Sequence, residues 1–500
     1  MLKRGKVVLF SPFYDGPIFG PPAALLHLAA PLREAGYEVR IIDGKITPNH
    51  LDEIEREIED ALCLGISYLT GPMIRGAIAA SELAKRLRPK LPVIHGGWHP
   101  SLVSEQTLRE PYVDVVVRHQ GEKTLLEVAG RLQSGEELDG VAGCWFKREG
   151  EFVKNPDRPV ERLEDLPSPA YDMVDFDQYE EAGGGRVLPY ATSVGCPYEC
   201  SYCTDTVFYS RRFNALSPER VVGELAGLVK EHRVDRVALL DSNFLVNTKR
   251  AVAIAQGIVD AGVRFSWTFQ ASTDFLCRLS DEDVRLLARS GVNHIGFGTE
   301  SADEDVLAVM NKRHQTIPDI HETARKTQQA GIRVTFNLIF GYPGETEAAR
   351  RETFRVMGEI AQRYDNVGFS PNILTPYPAI PLWPELERLG VRQPQSLNEW
   401  SDFALSHNVL PWLQDSMQEQ VARSMLLLSL LRKVTKRAAT QSRFQALGWG
   451  WLRQSLCWRV KTQMLRWPGE LWLYQLRSRL VMRRSLLTGQ DLGYTIDHAH

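Results

Sequence analysis

Residues 187–203 read VLPYATSVGCPYECSYC, and the fold depends on how that stretch is parsed. A short apolar run comes first and predicts a strand; Cys196, Cys200 and Cys203 then fall within eight residues, directly behind it. The chain has seven cysteines in all, and Cys63, Cys144, Cys277 and Cys457 stand singly. An odd number at irregular spacing excludes a disulfide framework and points to a reducing, cytoplasmic setting. The spacing C-x-x-x-C-x-x-C suits a soft-metal site, because thiolates favour zinc, copper(I) or iron-sulfur clusters. A structural zinc site asks for four ligands, and no fourth Cys or His follows at knuckle spacing. Three thiolates on one loop instead suit three irons of a 4Fe-4S cluster, with the fourth iron open to another ligand.

Working outward, the same strand begins a series. VDRVALLDSN (234–243), VRFSWTFQAS (263–272), VNHIGFGTES (292–301), IRVTFNLIFGYPGET (332–346) and NVGFSPNILTPYP (366–378) follow, separated by stretches of helical period. Six strand-helix units predict a partial (β/α)6 barrel over 187–390, with its chemistry at the strand C-terminal ends. Upstream, KVVLFSP, EVRIID, LCLGISY, PVIHGG and VDVVVRHQGE alternate with helical segments over 1–150. That alternation predicts a second, Rossmann-like α/β domain whose ligand lies beyond the strand ends. No G-x-G-x-x-G follows any of these strands, which disfavours a dinucleotide. Residues 151–186 are rich in Pro, Asp and Gly and read as a linker, and 391–500 as a helical C-terminal domain.

CPYECSYC (196–203), with Tyr202 before the last cysteine, resembles the signature of the radical S-adenosylmethionine (SAM) superfamily. The resemblance implies that Cys196, Cys200 and Cys203 ligate a 4Fe-4S cluster that cleaves SAM reductively. It further implies that Asp241, Ser242 and Asn243 meet the SAM amino group. Gly298, Glu300 and Ser301 of GFGTES would contact the ribose, and Gly341 and Pro343 of FGYPGET would approach the adenine. Lys312 also matches a familiar position. In FQASTDF, Gln270 and Ser272 occupy the segment where many relatives carry an arginine for the SAM carboxylate. Ala379-Ile380 stand where a Gly-Thr pair is common. Singly, these carboxylates and Gly-Pro turns are ordinary features of strand ends; their order behind the triplet is what carries the resemblance.

The N-terminal domain is similar to the cobalamin-binding domain joined to such barrels, on GPPAALLHLAAPLREAGYEVRIID, LGISYLTGP, VIHGGWHPSL and VVVRHQGEKTLLEVA. This implies that Gly96 and Gly97 let backbone approach a flat corrin, that Ser67, Thr70 and His99 bond its edge, and that Gly121 and Glu122 line the next strand end. The D-x-H-x-x-G string is absent, so no histidine of that motif reaches cobalt. The implied activity is cobalamin-dependent C-methylation of an unactivated carbon in a small molecule such as a lipid or tetrapyrrole. Oxidative cyclisation with the same cofactors is the alternative, and a non-catalytic iron-sulfur or zinc protein the rival. A reductant such as flavodoxin or ferredoxin is implied as a partner.

The net charge of −3 conceals an asymmetry. Residues 430–484 hold 13 Lys and Arg against one acid, Glu470, so the remainder carries about −15. Trp449, Trp451, Trp458, Trp467 and Trp472 are interleaved with those cations. In a helical cap the tryptophans would enter the core and the arginines stay solvated; on an anionic inner-membrane surface the indoles would face outward. No nucleic-acid module accompanies the basic run, so nucleic acid is not an expected partner.

Overall fold

The computed structural model describes residues 4–14, 20–403, 410–412 and 443–462, and within 420–434 residues 420, 421, 423, 424, 426–428, 430, 431 and 434. Seven strands form the N-terminal sheet: β1 (Lys6–Ser11), β2 (Glu38–Asp43), β3 (Ala61–Ser67), β4 (Val93–Gly96), β5 (Val115–Val117), β6 (Cys144–Arg148) and β7 (Glu151–Lys154). Their order is β2-β1-β3-β4-β5-β6-β7; the first five are parallel and the last two antiparallel. Parallel strands must be covered on both faces, and Val7, Val8, Leu9 and Phe10 of β1 are accordingly buried. The stretch expected as a linker opens with β7. Beyond it, Leu163, Leu166, Tyr171 and Phe176 enter the core of the second unit.

That unit holds eight strands: β8 (Val187–Tyr190), β9 (Ser193–Val194), β10 (Asn214–Ala215), β11 (Arg236–Leu239), β12 (Ser266–Ala271), β13 (Val292–Glu300), β14 (Arg333–Phe340) and β15 (Val367–Ile373). Six of them form one all-parallel sheet in the order β15-β14-β13-β12-β11-β8, the open (β/α)6 barrel anticipated from the sequence. The helices between them start on local signals: Ser280 with Asp283, and Thr316 with Asp319, form capping boxes.

A core shared by the two units turns their strand ends toward each other. It joins Phe10, Ile66 and Tyr68 of the first to Met310, Tyr342, Leu374 and Trp383 of the second. Trp400 belongs to the same core, fully buried, with its indole N–H donating to Gln106 Oε1 at 2.8 Å. The helix Arg443–Thr462 packs on the barrel helix Glu347–Arg363. Trp467, Trp472 and the Trp449 side chain lie outside the described residues.

Candidate active site

The cysteine loop leaves β8 and is pinned at both ends by the two-residue ladder of β9 with β10. Gly195 precedes Cys196 at φ +77°, so close to the Arg212 carbonyl that no Cβ fits. Backbone bonds hold the loop's outer side: Ser201 N–H donates to Met310 O at 3.0 Å, and Leu382 N–H to Ser201 O at 3.0 Å. None of the three is in a disulfide; Cys200 acts electrostatically on both of the others, and Cys196 on Cys203. Burial pushes Cys196 up to about 11 and Cys203 to about 12, with Asp205 adding to both. Burial also raises Cys200, against the pull of Lys312. Three desolvated, protonated thiols are poor partners for one another but good ones for iron, which deprotonates a coordinating thiol. Among the described residues no three His, Cys, Asp or Glu side chains converge on a single ion. A cluster, whose thiolates bind separate irons, is served by three thiols spread over one loop.

Behind the loop lies a buried polar triad. Tyr202 Oη donates to Glu300 Oε1 at 2.9 Å, and Lys312 Nζ sits 3.2 Å from the same oxygen. Glu300 ends β13 at φ +59°, just past a register shift, in a left-handed conformation that an L-residue keeps only under constraint. Gly298 leaves space for it, since a Cβ there would stand 2.6 Å from Glu300 Oε1.

The other SAM-related positions divide. Asn243 is buried beside Cys196 with its Oδ1 unpartnered, so it can take a ligand donor. Asp241 is turned inward: it accepts from Thr192 N at 2.8 Å, from Thr192 Oγ1 at 2.5 Å and from Ser193 Oγ. Its carboxylate ties the end of β11 to that of β8. Ser242 Oγ donates to Asp205 at 2.8 Å. Ser272 Oγ donates to Asp274, which also accepts from Tyr198 Oη at 2.5 Å and pairs with Arg278 at 2.9 Å. Gln270 lies against Gly296, Ser301 Oγ against Thr353 Oγ1 at 3.1 Å, and Gly341 N–H donates to Glu345 Oε2 at 2.7 Å beside the buried Pro343.

A cavity of about 570 Å³ opens where the two sets of strand ends meet. From the first unit it is lined by Ser67, Gly96, Gly97, Gly121 and Glu122, all expected corrin contacts; the barrel contributes Ala191, Ser193, Leu240 and Ser242. Its glycines fit a flat ligand unequally. Gly97, at φ +94°, is already required by packing, since a Cβ would meet Ser67 Oγ and Tyr68 O at 2.9 Å. Gly96 has only an ordinary 3.4 Å neighbour and is the more open seat.

Thr70 and His99, expected at the corrin edge, do not line the cavity. They bond to each other (Thr70 Oγ1 to His99 Nδ1, 2.9 Å), and His99 packs edge-on to Trp400 with ring centroids 5.7 Å apart. Apolar burial at Trp400 outcompetes ligand exposure, and it pushes the His99 imidazole down to about 3. Two residues not anticipated stand nearer the chemistry. Asp205, two positions after Cys203, is buried with Oδ2 unpartnered and lifted to about 6 by burial; an acid so close to the triplet was the available signal. His119, at φ +59°, lines the cavity in the HQGE loop already marked by its glycine.

The chain matches the family models described as "Radical SAM superfamily" over residues 190–357 and "B12 binding domain" over 17–129. It is 32% identical to an uncharacterized methyltransferase of Pyrococcus horikoshii over 73% of this chain and 78% of that one. It is 28% identical to the anaerobic magnesium-protoporphyrin IX monomethyl ester cyclase of Cereibacter sphaeroides, over 73% of this chain and 60% of that one. Among solved structures, the radical S-adenosylmethionine methyltransferase TsrM of Kitasatospora setae, with cobalamin and a [4Fe-4S] cluster bound, superposes with a TM-score of 0.65. Its identity is 21%, covering 78% of this chain and 76% of that one, a likeness of fold alone.

Proposed function

This chain belongs to the radical SAM superfamily and carries a B12-binding domain before its barrel, and on that footing we propose that it methylates an unactivated carbon of a small molecule. Its cofactors are a 4Fe-4S cluster, SAM and cobalamin. When bound they supply a carbon-centred radical and a methyl group, chemistry that no side chain can perform.

The chain's own residues bind, orient and exclude water. Cys196, Cys200 and Cys203 hold three irons and leave the fourth for SAM. Tyr202, Glu300 and Lys312 form the polar floor behind them, and Asn243 and Asp205 offer unpartnered acceptors beside the cysteines. Ser67, Gly96, Gly97, Gly121 and Glu122 cradle the corrin. Asp241, Ser272, Thr70 and His99 serve as positioning residues in this reading, because their polar atoms are engaged within the protein. The proposed division is 1–150 for the corrin domain, 151–186 for the connecting strap, 187–390 for the barrel and 391–500 for the C-terminal region.

One observation carries the reading: a single cavity is lined jointly by the corrin-side loops and the barrel mouth. A substrate there would lie between the loops proposed to hold the corrin and the barrel mouth that carries the cysteines. The 28% identity to the cyclase supports oxidative ring formation as a second reading. Among the described residues no helix is long and apolar enough to cross a membrane. A low-potential flavodoxin or ferredoxin as reductant, and a cytoplasmic site of action at the inner membrane, complete the proposal.

The test is anaerobic reconstitution with cluster and corrinoid, followed by reduction with methyl-labelled SAM and candidate lipids or tetrapyrroles. Methylation gives label in the product together with both 5′-deoxyadenosine and S-adenosylhomocysteine. Deoxyadenosine with an unlabelled, cyclised product would favour the second reading, and an intact cluster that releases none would overturn both.

A further inference from the structure

The C-terminal helix Arg443–Thr462 has two unlike faces. One seats backbone-close on the barrel: a Cβ at Gly358 would lie 3.1 Å from Lys461 N and 3.2 Å from Cys457 O. Leu456, Cys457 and Val460 join the barrel core there. Arg453 is turned inward as well, donating to the Tyr364 carbonyl at 2.9 Å and pairing with Asp365 at 2.5 Å. The tryptophans take the other side, the reverse of what a simple helical cap requires. Trp451 is 73% exposed and Trp458 52% exposed, and their spacing stacks them along one stripe of the helix.

An exposed pair of indoles in a segment of net charge +12 is a surface awaiting a partner. Charge alone would suit any anionic surface, a second copy of this mostly acidic chain included. The indoles decide between them. Among the described residues seven other large apolar side chains are exposed; Leu69 and Leu240 line the cavity, and the rest include a single aromatic ring, Phe13, so no second pair of rings faces outward to stack on these indoles. A bilayer of anionic lipid offers both terms, since tryptophan settles at headgroup depth and Lys and Arg are attracted to the lipid phosphates. We propose that this face docks the protein peripherally on an anionic membrane, with Trp451 and Trp458 entering the headgroup layer and the net positive charge of the segment drawing it to that surface.

Deleting the segment would strip Leu430, Leu431, Val434, Leu456 and Val460 from the barrel core, so exposed side chains are the better probe. The full chain is sedimented with vesicles of phosphatidylglycerol in phosphatidylcholine, and with phosphatidylcholine alone. The expected result is salt-sensitive binding to the anionic vesicles only, weakened roughly tenfold or more in Trp451→Ala/Trp458→Ala. Brominated lipid should quench tryptophan fluorescence in the wild type and much less in the variant. Equal binding by variant and wild type, equal binding to neutral vesicles, or lipid-independent self-association without sedimentation would each overturn the proposal. Sedimentation is read without turnover, so it stands or falls separately from the methylase reading.

Discussion

Acid should destabilise the N-terminal unit through two buried histidines. His95 lies within β4, between Tyr68 and Ser81: Ser81 Oγ donates to Ala77 O, so it accepts from His95 Nε2 at 2.9 Å, leaving Nδ1 to accept from Tyr68 Oη at 2.9 Å. His99 lies beneath Trp400. Burial lowers both imidazoles from 6.5 to about 3, with His99 itself adding to the effect on His95. Between those values the unfolded chain binds the protons and the folded chain does not. The stabilisation is therefore complete above about pH 6.5 and is lost as the pH falls toward 3. Each site should lose about 1.4 kcal/mol per pH unit, hence ~2 kcal/mol apiece and ~4 kcal/mol together at about pH 5. Carboxylates elsewhere also titrate, so the informative quantity is a difference between proteins. Urea midpoints of the wild type and of His95→Gln/His99→Gln, followed by near-UV circular dichroism, should be compared at about pH 7.5 and about pH 5. The wild type should lose ~4 kcal/mol more than the variant across that interval. Equal losses would refute the assignment of two buried, neutral imidazoles.

Single Cys→Ser variants at Cys196, Cys200 and Cys203 should bind no intact cluster and release no 5′-deoxyadenosine, read by the iron-sulfur absorption band and by chromatography; full activity in any one would remove it from the ligand set. Lys312→Met strands the buried Glu300 carboxylate and should cost about 3–5 kcal/mol by urea denaturation, most of it recovered in Lys312→Met/Glu300→Gln. A double variant no more stable than the single would show that the pair is not coupled. Gly97→Ala forces a Cβ against Ser67 and Tyr68 at φ +94° and should cost about 2 kcal/mol or more. In Gly96→Leu, which fills the open seat, the visible spectrum should lose the corrinoid while keeping the cluster, and retention of both would place the corrin elsewhere.

The legible part of this protein was periodic or short in range. Alternating strands and helices appear in the chain because a buried parallel strand needs a continuous apolar run and its covering helix a stripe. The cysteine loop appears because its three ligands lie on one turn of chain behind one strand. Side-chain direction was less legible. Asp241 looked like a ligand contact at its strand end, but its partner Thr192 lies 49 residues upstream and draws the carboxylate inward. His99 looked free beside two glycines until Trp400, some three hundred residues on, packed against it.

The C-terminal segment divides in the same way. Its excess of Arg and Trp is visible in composition, and composition alone placed tryptophan inside and arginine outside as readily as the opposite. The seat beside Gly358 settled that for the described residues, because only a small residue lets the two helix backbones meet there. Thus the sequence by itself determined two α/β units and a three-thiolate loop, each written in neighbouring residues. Which polar groups face the cavity, which are spent on packing and which indoles reach the surface was decided by tertiary structure alone, because each depends on a partner distant in the chain that no local spacing encodes.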